Sequence, residues 1–145
     1  MKTTKRIIAV LLFAITMTTV LNSCSKESTN ERRIVGKWVV TSHIKSYYNA
    51  EDGTLHYGPI DLSDGNVGGV TEFYSDGTSS WDGILFIKYS LDGNVLLLGE
   101  GVSVTKYVIV ELTNSTLILE RQSGIEHAYD GTPVYTVWHT EYEKQ

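Results

Sequence analysis

From Ile34 onward, apolar and polar positions alternate along short stretches, and Asp-Gly pairs repeatedly interrupt the alternation. There are six: Asp52-Gly53, Asp64-Gly65, Asp76-Gly77, Asp82-Gly83, Asp92-Gly93 and Asp130-Gly131. Asp-Gly supplies the positive φ angles that tight hairpins need, so each pair marks a turn. Period-two alternation between such turns, with no sustained helical periodicity, predicts strands. The first covers residues 37–48, with Trp38, Val40, Ser42, Ile44 and Tyr48 sharing one face. Residues 70–75 and 78–82 flank one turn, and residues 84–90 and 95–99 flank another. Residues 104–112 and 116–122 flank the polar turn Thr113-Asn114-Ser115, and residues 134–142 close the chain. Residues 49–69, rich in Gly and Asp, form the one long connection, a segment placed to act as a lid or to hang loose.

The pattern predicts an all-β fold: about eight short strands in an up-and-down meander, closed into a single small antiparallel β-barrel. Closure removes the exposed edges that an open sheet would present. A barrel of this size encloses just enough room for side chains or one small ligand. A β-sandwich is the alternative, but its crossovers need longer links than these turns provide.

The N-terminus follows a different pattern. Lys2, Lys5 and Arg6 precede an apolar run over residues 7–20 that only threonines interrupt. Such a run suits the core of a secretion signal, whereas a bilayer-spanning helix needs about 20 apolar residues. Leu21-Asn22-Ser23-Cys24 resembles the lipobox of bacterial lipoproteins. That resemblance implies a signal peptide over residues 1–23, cleavage before Cys24, and acylation of Cys24. Two or three acyl chains anchor firmly, since each buried CH₂ contributes about 0.8 kcal/mol. Residues 24–32 are polar and read as a lipidated flexible tether, leaving residues 33–145 for the barrel. Ser25 after the cysteine implies, again by resemblance, delivery to the outer membrane. Ser25-Lys26-Glu27 loosely resembles a signal for export to the cell surface.

Removing the signal sharpens the charge. Residues 24–145 hold nine basic and seventeen acidic residues, a formal charge of −8. Nucleic acid and anionic lipid surfaces both reward clustered Lys and Arg, so neither is the expected partner.

Ile34-Val35-Gly36-Lys37-Trp38 resembles the opening of lipocalins and of the lipocalin-like lipoproteins of Bacteroidetes. Phe73-Tyr74-Ser75-Asp76-Gly77-Thr78 is similar to the family's aromatic-x-x-Asp-Gly-Thr hairpin, and Tyr89-Ser90-Leu91-Asp92-Gly93-Asn94-Val95-Leu96 to its mid-barrel turn. Tyr107-x-Ile109-x-x-Leu112-Thr113, followed by Leu117-x-Leu119, resembles its closing strands. No one of these motifs is specific, but their order spans nearly all of residues 34–145. The resemblance implies a short helical turn before the first strand, close entry of the chain at Gly36, and a barrel base plugged by Trp38. It also implies an arginine packed across that tryptophan, for which Arg121, the only arginine after Arg33, is the candidate.

Catalytic and metal chemistry find little support. Cys24 is the only cysteine, which excludes an intramolecular disulfide and a thiolate cluster. His43, His56, His127 and His139 make no short-range ligand pair. Residues 61–66, Asp-Leu-Ser-Asp-Gly-Asn, lack the alternating ligands and closing glutamate of a calcium loop and read as a turn. There is no Gly-x-Ser-x-Gly elbow, and the glycines near Gly65 lack a phosphate-binding lysine. No catalytic residue, cofactor or metal is expected. The aromatics remain: Trp81, Phe86, Tyr89, Tyr107 and Trp138 lie on expected strands and are candidates to line a pocket. Each of them could equally fill the core. The expectation is a non-enzymatic binding barrel for a small apolar or amphipathic ligand, with a protein-interaction module of filled interior as the alternative.

Overall fold

A computed structural model describes residues 29–145, apart from the side chain of Phe86. The expected signal peptide over residues 1–23 and the expected lipidation site Cys24 lie outside the described residues. A short helix, α1, covers residues 29–34. Ten strands follow: β1 (Gly36–Asn49), β2 (Leu55–Asp61), β3 (Val70–Phe73), β4 (Thr78–Trp81), β5 (Leu85–Asp92), β6 (Val95–Glu100), β7 (Ser103–Leu112), β8 (Thr116–Gln122), β9 (Glu126–His127) and β10 (Pro133–Lys144). All neighbouring pairs are antiparallel, and β1 also pairs with β10, so β1, β3 to β8 and β10 close an eight-stranded barrel. The all-β up-and-down architecture is therefore as the alternation implies.

Three local features differ from the sequence reading. Residues 49–69 are not one loop, because β2 lies within them and pairs with β1 from Ile44 to Tyr48. Its alternation is obscured by Gly58 and Pro59, which carry no strand signal. Secondly, a bulge at Thr41 shifts the register between Val40 and Ser42. A one-residue shift moves every later side chain to the opposite face. Trp38 and Val40 face inward as expected, but His43, Lys45 and Tyr47 then continue the inner face, opposite Thr140, Trp138 and Thr136. Ser42, Ile44 and Tyr48 are turned outward, where Tyr48 stacks on Tyr135 at 5.6 Å. Thirdly, α1 takes up residues 29–32, which composition assigns to the tether.

Strand direction defines two ends. The turns at residues 74–77, 93–94 and 113–115 lie with α1 at the base. The connections at residues 62–69, 82–84, 101–102 and 123–125 lie at the mouth. The core concentrates at the base: Ile34, Trp38, Phe73, Leu96 and Leu117 are fully buried together. Each such side chain stabilises the fold by about 1.5–3 kcal/mol relative to exposure. Trp38 Nε1 donates to the carbonyl of Ile34 at 2.6 Å, tying α1 under the barrel.

The cation across Trp38 is Lys144, whose Nζ lies 4.9 Å from the ring centroid and donates to the Arg33 carbonyl at 2.8 Å. The expectation for Arg121 is thereby corrected. Trp38 is in register with Lys144, whereas Arg121 is in register with Trp138, six residues along β10. That offset is about 20 Å at strand rise, which places Arg121 at the mouth. Gly36 has φ +129°, and a Cβ there would stand 2.7 Å from Lys144 Cε.

Above the mouth the barrel is asymmetric. Beyond Ile44, β1 pairs with β2 in place of β3, and before Val137, β10 pairs with β9 in place of β8. The four strands β2, β1, β10 and β9 form a wall rising from one side of the rim.

Trp38→Ala is expected to lower unfolding free energy by about 3–5 kcal/mol. Gly36→Ala, strained by its backbone angle, should cost about 1–3 kcal/mol. Urea denaturation monitored by far-UV circular dichroism checks both. A Gly36→Ala variant within about 0.5 kcal/mol of the parent, the range of an ordinary surface substitution, would remove the close-entry argument.

Candidate functional site

Above the buried base, the inner-face positions change character. β1 contributes His43, β4 Trp81, β7 Tyr107, β8 Arg121, and β10 Trp138 and Thr140. With Val40, Tyr142 and Asn66 they enclose a cup of about 200 Å³ at the mouth. Three of the five aromatics predicted from sequence as pocket-lining residues, Trp81, Tyr107 and Trp138, are brought together here. Tyr89 is not among them. It lies four residues down β5 from Leu85 at the mouth end, its hydroxyl donates to the Tyr74 carbonyl at 2.8 Å, and its ring meets Phe73 edge-on at 5.0 Å. The Phe86 side chain lies outside the described set.

The cup has a distinctive wall. Trp138 is flanked in register by Lys45 on β1 and Arg121 on β8. Arg121 Cζ lies 4.0 Å from the Trp138 ring centroid, and Lys45 Nζ lies 5.5 Å from it and 4.7 Å from the Tyr47 ring. His43 Nδ1 shares a 2.8 Å hydrogen bond with Thr140 Oγ1. Burial, reinforced by the nearby Arg121 charge, holds the His43 imidazole below its ordinary pKa and so in the neutral form. Burial raises the Tyr142 hydroxyl well above the ordinary phenol range, so it stays protonated. Asn66 is presented by the 62–69 segment, where its Nδ2 donates to the Leu62 carbonyl at 2.7 Å. The Thr71 hydroxyl, on the inner face in register with Trp81, is buried with no hydrogen-bond partner among the described residues.

The wall above the rim carries a second depression of about 520 Å³, floored by Tyr47 and Val134 and flanked by Tyr57 and residues 126–130. His56 Nε2 lies 3.8 Å from Asp130 Oδ2 in its lining. The other histidine with acidic neighbours, His139, lies on the outer face, 3.0 Å from Glu120 and 3.3 Å from Glu141. Among the described residues no three His, Cys, Asp or Glu side chains are grouped to hold a metal ion.

Sequence reasoning missed His43, Lys45, Asn66 and Thr140. The first two follow from the Thr41 bulge, which no local motif announces. Thr140 is the inward partner of His43 across the closing ladder and becomes visible only when β1 and β10 are placed side by side.

Because the folded state disfavours protonated His43, the unfolded chain binds more protons between the folded pKa and about 6.5. Stability should therefore fall as pH drops through that window, with the loss complete below the folded pKa. His43→Gln should flatten this part of the profile. Thermal melts of both proteins between about pH 4 and 8 check it, and an unchanged slope would remove His43 as the cause.

None of the curated proteins matches the chain. The profile of the family described as the lipocalin-like domain matches residues 34–119, from the helix end under Trp38 to the inward Leu119 of β8. With a closed antiparallel barrel of eight strands and a family match over more than half its length, the chain belongs to the lipocalin-like domain family.

Proposed function

We propose that the chain is a membrane-anchored binding module that takes a small amphipathic ligand into the mouth of its barrel. The cup of about 200 Å³ carries this reading, because it joins aromatic faces to a few convergent polar groups. Lipocalin-like domains are in general non-enzymatic binding proteins, which agrees with this use. Whole-ligand pockets usually enclose about 300–1,000 Å³, so this cup takes one ring or a short chain and leaves the remainder on the rim. Trp81, Ile84, Leu85 and Val102 expose apolar surface at the mouth to receive it.

The anchor reading supports this use of the mouth. Acylation at Cys24, proposed from the lipobox, would tether the chain to the outer membrane through α1. That helix enters at the base, so in this reading the mouth would point away from the lipid and stay open to the envelope or the medium. A second reading draws on the same rim. Exposed apolar residues around a small recess also suit a protein partner that inserts one side chain.

Native mass spectrometry of the protein, purified under mild conditions from its own cells, tests the first reading. A reproducible added mass is expected, lost on denaturation and lost in Trp138→Ala. A clean unliganded mass in repeated preparations would overturn it in favour of the protein-partner reading, which cell-surface cross-linking would then examine.

A further inference from the structure

The mouth gathers positive charge in a protein that is otherwise short of it. Only nine basic residues stand against seventeen acidic ones in residues 24–145. Two of the nine flank Trp138, Arg121 in the lining of the cup and Lys45 on the adjoining wall. Neither has a carboxylate partner or donates a hydrogen bond to a protein acceptor among the described residues. The barrel strands keep their acids elsewhere. Glu72, Glu120 and Glu141 alternate with inward residues and face outward, and Glu100 is turned to Lys88. Near the mouth, Asp82 Oδ1 accepts from the Val70 N–H at 2.7 Å, and Asp64 is exposed on its turn.

Leaving two cations uncompensated at a part-buried rim is costly unless they have a use. Stacking explains how they are kept ready. An arginine lying face-on against an indole keeps its in-plane N–H donors free to grip an anion bidentately. Lys45, on the other neighbouring strand, supplies a second charge with its Nζ 5.5 Å from the ring centroid. His43, held neutral, adds no repulsion for the two cations and presents a ring that hydrogen-bonds to Thr140.

We propose that the ligand of this mouth is an organic anion, a carboxylate carried on an apolar or aromatic body, with Arg121 binding the carboxylate beside Trp138 and Lys45 adding its charge from the adjoining wall. The body then lies in the cup between Trp81 and Tyr107. This assignment rests on the small-ligand reading above and deepens it from an amphipathic molecule to an amphipathic carboxylate.

An isosteric pair of probes separates the two levels. Isothermal titration of the full chain in uncharged detergent would compare 4-phenylbutyrate with 4-phenylbutyramide, which share shape and apolar body. The carboxylate should bind about tenfold or more tightly, the range a charge-assisted hydrogen bond supplies. Arg121→Gln should bring the carboxylate close to the amide, and Lys45→Gln should narrow the difference between the two. Far-UV circular dichroism shows whether each variant is folded, and Lys45→Gln, on the open wall, decides the matter if Arg121→Gln fails to fold. Equal binding of the two probes, or a preference that survives both substitutions, would overturn anion recognition and leave the small-ligand reading standing. No binding of either probe to the parent protein at millimolar concentration would overturn both.

Discussion

Closure of the barrel depends on β1 meeting β10, from Trp38 opposite Lys144 at the base to Asn49 opposite Val134 above the mouth. This ladder joins the two ends of the domain, so it forms only when the whole chain has been wound round. It also sets the height of every inward residue on both strands. Lys144 comes to lie over Trp38, Tyr142 over Val40, Thr140 against His43 and Trp138 against Lys45. The plugged base and the open cup are thus two heights on one pair of strands.

The division between base and mouth follows from side-chain size and polarity along that pair. At the base, Trp38 and Phe73 with the leucines fill the section completely, and the Trp38 indole N–H is satisfied by α1. Higher up, the inward positions become His43, Thr140 and Arg121, which are polar and do not close the space as a leucine layer would. The bulge at Thr41 separates these two regimes. Without the register shift, Ser42 and Ile44 would face the interior, and the cations would lose one of their two members at Trp138.

Charge placement gives the mouth its character. An acidic surface favours solubility and repels anions at long range. Two cations beside an indole would offset that repulsion at short range, where desolvation strengthens each contact. Because α1 enters at the base, the N-terminal end of the described residues and the mouth lie at opposite ends of the barrel. An anchor of the kind proposed at Cys24 would therefore leave the proposed ligand site unobstructed.

How far the sequence alone determined the protein is clear from particular residues. The Asp-Gly turns and the period-two alternation between them determined the meander, because both are local consequences of backbone conformation. Gly36 and Trp38 marked the barrel's opening, and Trp81, Tyr107 and Trp138 were legible as pocket candidates because large aromatics on strands are few. The tertiary structure decided which of these aromatics meet: Tyr89 went to the base and Trp138 to the mouth. It also exchanged Arg121 for Lys144 over Trp38, found β2 inside an apparent loop, and turned His43 and Lys45 inward. The physical reason is common to these cases. Height and facing in a closed barrel are set by register across strands distant in sequence, and one bulged residue reverses the facing of all that follow, so no local pattern carries that information.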